Sequence, residues 1–200
     1  MAAAGLTRLQ EERAVWADGT HEAADWAEAE PKTSPSGGDI MTEWELTLMG
    51  PVRHLPPHVV LYSRTSPSSP ARAPRSTLTL LFSAPLTLSS FVQDDTPYAE
   101  GVFMVNLKFP MDYPARHPEV KFITRIYHPS VNTDGATCIP EIKEDWSMSM
   151  SIVDIANILK ELLTNPCADS PVNAEAGAQL AADPDAFNEV AAQWTKDYAQ

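Results

Sequence analysis

The stretch Asp112–Trp146, DYPARHPEVKFITRIYHPSVNTDGATCIPEIKEDW, carries most of the unusual chemistry of this chain. Pro114 and Pro118 mark turns, and Val120-Lys121-Phe122 alternates apolar and polar residues as a short half-buried strand does. From Thr124 to Met150 little regular pattern remains. That run holds one cysteine, Cys138, preceded by Asn132, Asp134 and Gly135, with His128 and Ser130 nearby. A lone cysteine reads first as a small buried hydrophobe. A nucleophile needs an accessible thiolate, a donor for the developing oxyanion and a shaped approach for the second substrate. A Gly-containing, helix-free run permits that exposure without establishing it.

Outward from this stretch the pattern is regular. Phe103, Val105, Leu107 and Phe109 alternate with Met104, Asn106 and Lys108, and Trp44, Leu46 and Leu48 alternate with Glu43, Glu45 and Thr47. Both read as strands, the second over residues 42–49. Ile152, Ile155, Ala156, Leu159, Leu162 and Leu163 form an apolar helical stripe, opened by Ser151 with Asp154 three residues on, a capping-box signal. Asp183-Pro184 starts a last helix lined by Phe187, Val190, Ala191, Trp194 and Tyr198. At the other end, Leu6, Leu9, Arg13 and Trp16 mark a first helix, and Pro31, Ser34-Pro35-Ser36 and Gly37-Gly38 a loop. Helix, antiparallel strands, then helices gathered at the end predict an α+β fold.

Residues 52–93 break the pattern, with Pro56-Pro57, Pro67, Pro70, Pro74 and Pro85, many serines, and four arginines against no acidic residue. This composition predicts a disordered or loosely packed loop, unusually long for a compact domain.

Composition bounds the rest. Two hundred residues, 44% of them apolar, suit one ordinary domain with a real core. No apolar run approaches the roughly 20 residues of a membrane span, and Met1–Gly5 lacks a secretory pattern, so the expectation is a soluble cytoplasmic or nuclear protein. Cys138 and Cys167 match no metal or redox spacing, which favours free thiols in a reducing compartment. The net charge of −13 argues against nucleic acid as a main partner.

Asp112-Tyr113-Pro114, Pro118-Glu119-Val120-Lys121-Phe122 and Thr124-Arg125-Ile126-Tyr127-His128-Pro129 closely resemble the ubiquitin-conjugating enzyme family. In that family a His-Pro-Asn tripeptide precedes the active cysteine by a fixed interval, which His128 and Cys138 keep, with Gly135 and Trp146 at the family's glycine and tryptophan. Leu162-Leu163, Asn165-Pro166, Asp169 and Pro171 continue the resemblance, as do Trp194-Thr195 and Tyr198-Ala199. It covers 94–200 almost continuously and 6–51 more loosely, and implies the family fold: an N-terminal helix, an antiparallel meander of about four strands and C-terminal helices. It also implies that Cys138 takes ubiquitin's C-terminus as a thioester from an activating enzyme and passes it to a substrate lysine, usually with a ligase. No bound cofactor or metal is implied; ATP is consumed upstream.

The resemblance has departures. Ser130 replaces the tripeptide asparagine thought to steady the oxyanion or brace the loop. A serine hydroxyl donates one hydrogen bond but reaches less far, so slower attack by lysine is expected, unless the hydroxyl or a water substitutes. Ser170 stands at the gate position beside the cysteine, where an acidic group would help deprotonate the incoming lysine; Asp169 next to it could serve instead. Tyr127 is expected to shape the lysine channel or pack on the sheet, His128 to support the loop, Trp146 to pack beneath it and Cys167 to be incidental. At the ligase contacts, Ala115 after Pro114 replaces a bulky Phe, and Met148 after Ser147 replaces a Pro. Loss of an aromatic anchor predicts a restricted ligase set.

The family joins its second and third strands by a short turn, and removing Val52–Gln93 restores that length. Valine codons begin with GT and a glutamine codon can end with AG. Residues 52–93 therefore read as an insert in one domain built from 1–51 and 94–200, and as a translated intron. The competing reading is a genuine loop that binds a partner through its arginines and Leu78, Leu80, Leu81 and Phe82. Two functional alternatives remain: a weak or inactive scaffold, which Ser130 keeps open, and conjugation of a ubiquitin-like modifier such as SUMO. The latter rests on a faint likeness of Arg8-Leu9, Glu12-Arg13 and Trp16 to the first helix of SUMO-conjugating enzymes, although the Cys138–Trp146 spacing is shorter than theirs.

Overall fold

Period-two patterning puts Trp44, Leu46 and Leu48 on one face of a strand and Phe103, Val105 and Leu107 on one face of its neighbour, and all six are buried. A computed structural model describes residues 3–51 and 96–200; the stretch read as an insert, 52–93, lies outside the described residues. In chain order the elements are α1 (Ala3–Asp18), β1 (Ala27–Thr33), β2 (Asp39–Met49), β3 (Val102–Lys108), β4 (Glu119–Phe122), α2 (Pro140–Lys143), α3 (Ile152–Thr164), α4 (Ala174–Ala182) and α5 (Pro184–Tyr198). The four strands form one antiparallel sheet in the order β1-β2-β3-β4, so the α+β expectation holds. Among the described residues no helix is long and apolar enough to cross a membrane.

Strand β1 occupies part of what the sequence reads as loop. Its alternation is real, with Ala27 and Ala29 buried and Glu28 and Glu30 exposed, but alanine is a weak strand former and hides the period. Pro31 is tolerated because β1 is an edge strand and the ladder shifts register between Pro31 and Lys32. The Ser34–Gly38 turn then closes the hairpin, with Ser34 N–H donating to Gly38 C=O at 2.7 Å and Gly37 N–H to Ser34 C=O at 2.9 Å.

The inward stripe of α1 also differs from expectation. Leu6 and Arg13 are exposed, whereas Leu9, Glu12 and Trp16 are buried. Glu12 goes inward because it has partners there: Arg8 pairs with it at 2.8 Å and the Ile152 N–H at the start of α3 donates to it at 3.2 Å. Burial raises its carboxyl above the ordinary value, and Arg8 opposes that rise.

On α3 the capping box is present: Ser151 Oγ accepts from the Asp154 N–H and Asp154 Oδ2 from the Ser151 N–H. Ile152, Ile155, Ala156, Leu159 and Leu163 are buried, and join the sheet's inner face in one core. Helix α4 carries no clear apolar stripe; its signal is the Asn173 cap, which accepts from the Ala176 N–H at 3.2 Å. On α5, Asp183 caps and Pro184 takes the first turn as predicted. Phe187 and Ala191 are buried, Thr195 joins them, and Tyr198 stays exposed with the Arg125 guanidinium over its ring.

Candidate active site

Cys138 is exposed at the end of the loop that follows His128. Three constraints hold that loop. The Cys138 N–H donates to Ser130 C=O at 3.2 Å, Thr137 Oγ1 to Val120 C=O at 2.9 Å, and the Phe122 N–H to Gly135 C=O at 2.9 Å. Buried Val131 anchors the interior of the turn and pairs with both His128 and Thr137. Gly135 adopts φ +83°, and a Cβ there would lie 2.0 Å from Phe122 O, so this close approach to β4 is open to glycine alone.

His128 is fully buried and bridges two elements. Its Nδ1 accepts from the Ser130 N–H at 2.9 Å, which leaves Nε2–H to donate to the Leu162 carbonyl on α3 at 3.1 Å. Burial pushes the imidazole down to about 4, so it is neutral near neutral pH, the form this bond pattern requires. Ser130 thus has its N–H and its C=O committed, one to His128 and one to Cys138. Its half-buried hydroxyl has no partner among the described residues.

The segment after α3 is tied to the same turn. The N–H groups of Val172 and Asn173 both donate to Pro129 C=O at 3.0 Å, which ties the chain just after Ser170 to the His128–Ser130 turn. Ser170 is exposed at φ +51°, a left-handed conformation uncommon outside glycine. The Asp169 carboxylate accepts from the Cys167 thiol at 3.2 Å, and both residues are exposed. One hydrogen-bond network therefore links Cys138, Ser130, His128, Pro129 and residues 172–173. Tyr127 faces elsewhere: its ring packs on Phe187 and Trp194 of α5, and its hydroxyl donates to Gln179 of α4 at 2.7 Å. Burial raises that hydroxyl's pKa.

A family model described as ubiquitin-conjugating enzyme matches residues 83–195. The chain belongs to the ubiquitin-conjugating enzyme family. Ubiquitin conjugating enzyme E2 B of Dictyostelium discoideum is 40% identical to it over 108 residues, 54% of this chain and 72% of that protein. Among solved structures, the E2 domain of a Toxoplasma gondii ubiquitin conjugating enzyme aligns with a TM-score of 0.66 at 24% identity, covering 97% of this chain and 99% of the other. A Plasmodium yoelii chain described as a ubiquitin conjugating enzyme aligns with a TM-score of 0.69 at 24% identity, covering 100% and 98%. These two likenesses concern the fold. Family membership implies, in general terms, work with ubiquitin, an activating enzyme and ligases.

In this ubiquitin-conjugating enzyme family member, the residues carried over as ligase contacts lie on two loops that meet. The Trp146 indole N–H donates to Pro114 C=O at 2.9 Å, and its half-buried ring lies 6.2 Å from that of Tyr113. The Pro114-Ala115 and Ser147-Met148 pairs follow directly from that joint. Ala115 and Ser147 are exposed, and Met148 is 65% exposed. Sequence reasoning missed what supports this face from below. Tyr113 is buried beside Glu12 and Arg8, and burial together with the Glu12 charge lifts its hydroxyl to about 12. It also missed the two hydrogen bonds that Pro129 C=O accepts from the Val172 and Asn173 amides, because backbone donors leave no mark in side-chain identity.

Proposed function

We propose that this chain accepts ubiquitin as a thioester on Cys138 and passes it to a substrate lysine. The observation that carries this reading is an exposed Cys138 whose own N–H is held by the Ser130 carbonyl within a braced loop. The Cys138 thiolate attacks the activating enzyme's thioester; the new S–C bond forms as the donor's thiolate leaves. A lysine amine then attacks the same carbonyl, the isopeptide bond forms, and Cys138 leaves as thiolate. The amine's proton passes to a base near the exposed 169–170 segment or to water. Both steps place charge on the carbonyl oxygen, and Ser130's unpartnered hydroxyl is the available side-chain donor. His128, neutral with both ring nitrogens committed, orients the loop and transfers no proton.

Ser130 favours a second reading, a weak conjugating variant that acts chiefly as a scaffold. A charging assay with activating enzyme, ATP and ubiquitin or SUMO, run on a non-reducing gel, separates them. A reductant-sensitive ubiquitin adduct, lost in Cys138→Ala, is the expected outcome. A folded chain that forms no adduct would establish the scaffold reading, and charging with SUMO alone would change the modifier while keeping the mechanism.

A further inference from the structure

A cleft of about 540 Å³ lies between the C-terminal half of α1 and β1, and shares no lining residue with the Cys138 site. Its size falls in the range of ligand pockets. Register defines its strand wall. The Met49 N–H donates to Trp26 C=O, and alternation along the antiparallel ladder then turns Glu28 and Glu30 toward β2 through their backbone groups. Ala27, Ala29 and Pro31 accordingly turn their backbone polar groups away from β2. The Ala27 N–H is taken by Ala23 C=O, and Pro31 has no N–H. The free edge therefore offers the carbonyls of residues 27, 29 and 31 and one N–H, that of Ala29, with no other strand paired to it among the described residues.

Two further observations point to an occupant. Trp16, only 9% exposed, lines the cleft, and its Nε1–H has no partner; neither does Nδ1 of His21, whose ring lies 4.1 Å from the indole. Both atoms are sealed from solvent, so each is a hydrogen bond that water does not supply. The rim is acidic: Glu28 and Glu30 are exposed, Glu30 faces Glu45 directly across the ladder, and the rim cation Arg13 is engaged by Asp39 at 2.6 Å. Like charges opposed on a sheet are relieved by a cation.

We propose that this cleft binds an extended basic peptide as an added strand on β1. The peptide's N–H groups donate to the carbonyls of Ala27, Ala29 and Pro31, and one of its carbonyls accepts from the Ala29 N–H. A swing of the half-buried His21 ring opens the Trp16 N–H to a second peptide carbonyl. Lysine or arginine side chains on the outer face neutralise Glu28 and Glu30. A strand acceptor with a single N–H selects for a donor-rich partner, and the acidic rim makes that partner basic.

The test uses the full chain and a fluorescein-labelled nonapeptide alternating lysine with threonine. Two control peptides accompany it, one with glutamate for lysine and one with proline for threonine, the latter keeping the charge but unable to pair as a strand. Fluorescence anisotropy is expected to rise with the lysine–threonine peptide alone. Nitrogen–proton correlation spectra should then shift the Trp16 indole and Ala29 amide signals. Trp16→Phe is expected to weaken binding about fivefold, the worth of one hydrogen bond. Glu28→Gln with Glu30→Gln, which leaves the core untouched, should weaken it by about the same at low salt. Equal binding of the proline peptide would reduce the contact to unspecific charge attraction and overturn the proposal. Absence of binding, or shifts confined to residues away from the cleft, would overturn it as well.

Discussion

Ser130 has two backbone commitments, its N–H to His128 and its C=O to Cys138, and its hydroxyl has no partner among the described residues. Loss of one oxyanion donor costs roughly 3–4 kcal/mol in well-studied hydrolases. We expect Ser130→Asn to speed discharge of charged ubiquitin to free lysine by about tenfold or more while charging itself changes little. Unchanged discharge in single-turnover gels would show that the hydroxyl already suffices. His128 makes a separate prediction. Its pKa is about 4 folded against 6.5 for an ordinary histidine, so between those values the unfolded chain binds a proton that the folded chain does not. Stability contributed by the neutral ring is then complete above about pH 6.5 and is lost as pH falls toward 4, about 3 kcal/mol in all. Urea midpoints at about pH 7 and about pH 5 should differ more in the parent than in His128→Gln, which cannot titrate.

At the scale of elements, the loop carrying Cys138 is specified by the edge of β4. Gly135→Ala places a methyl 2.0 Å from Phe122 O at a left-handed φ, and neither strand backbone nor loop can give way without breaking the Phe122–Gly135 bond. Charging in Gly135→Ala should fall at least tenfold with circular dichroism near that of the parent, since the damage is local. Parental charging rates would mean that the loop is not held from β4. Among the helices, α3 and α5 were legible from their stripes and caps because one face of each meets the core. Helix α4 and strand β1 were not: both bury alanines, whose hydrophobic signal is too weak to reveal a period.

For the whole molecule, the question is what residues 52–93 do to the fold. The chain leaves β2 and returns toward β3 at neighbouring points: Thr96 Oγ1 donates to Pro51 C=O at 2.8 Å, and the Gly50 N–H to Gly101 C=O at 2.7 Å. A two-residue link, Asp94-Asp95, can close that distance. Deleting 52–93 is therefore expected to preserve the fold and to raise stability by about 2–3 kcal/mol, because loop closure costs less for a shorter link. Thermal melts and charging of both forms check this. A deletion variant that fails to fold would make the segment part of the structure, and a charged adduct from the short form alone would show that it obstructs.

The α+β class, three of the four strands, α3 with its cap and α5 were all readable from residue order. Each is written in side-chain pattern over a few neighbouring positions, where burial of one face leaves a period. Tertiary structure decided what depends on partners distant in sequence. Glu12 points inward because Arg8 and the start of α3 await it, and Tyr127 turns to α4 and α5 rather than to the cysteine. The chain just after Ser170 is tied to the His128–Ser130 turn by two amides, those of Val172 and Asn173, on the Pro129 carbonyl. Every residue but proline carries the same backbone N–H and C=O pair, so side-chain identity does not mark where these bonds will close.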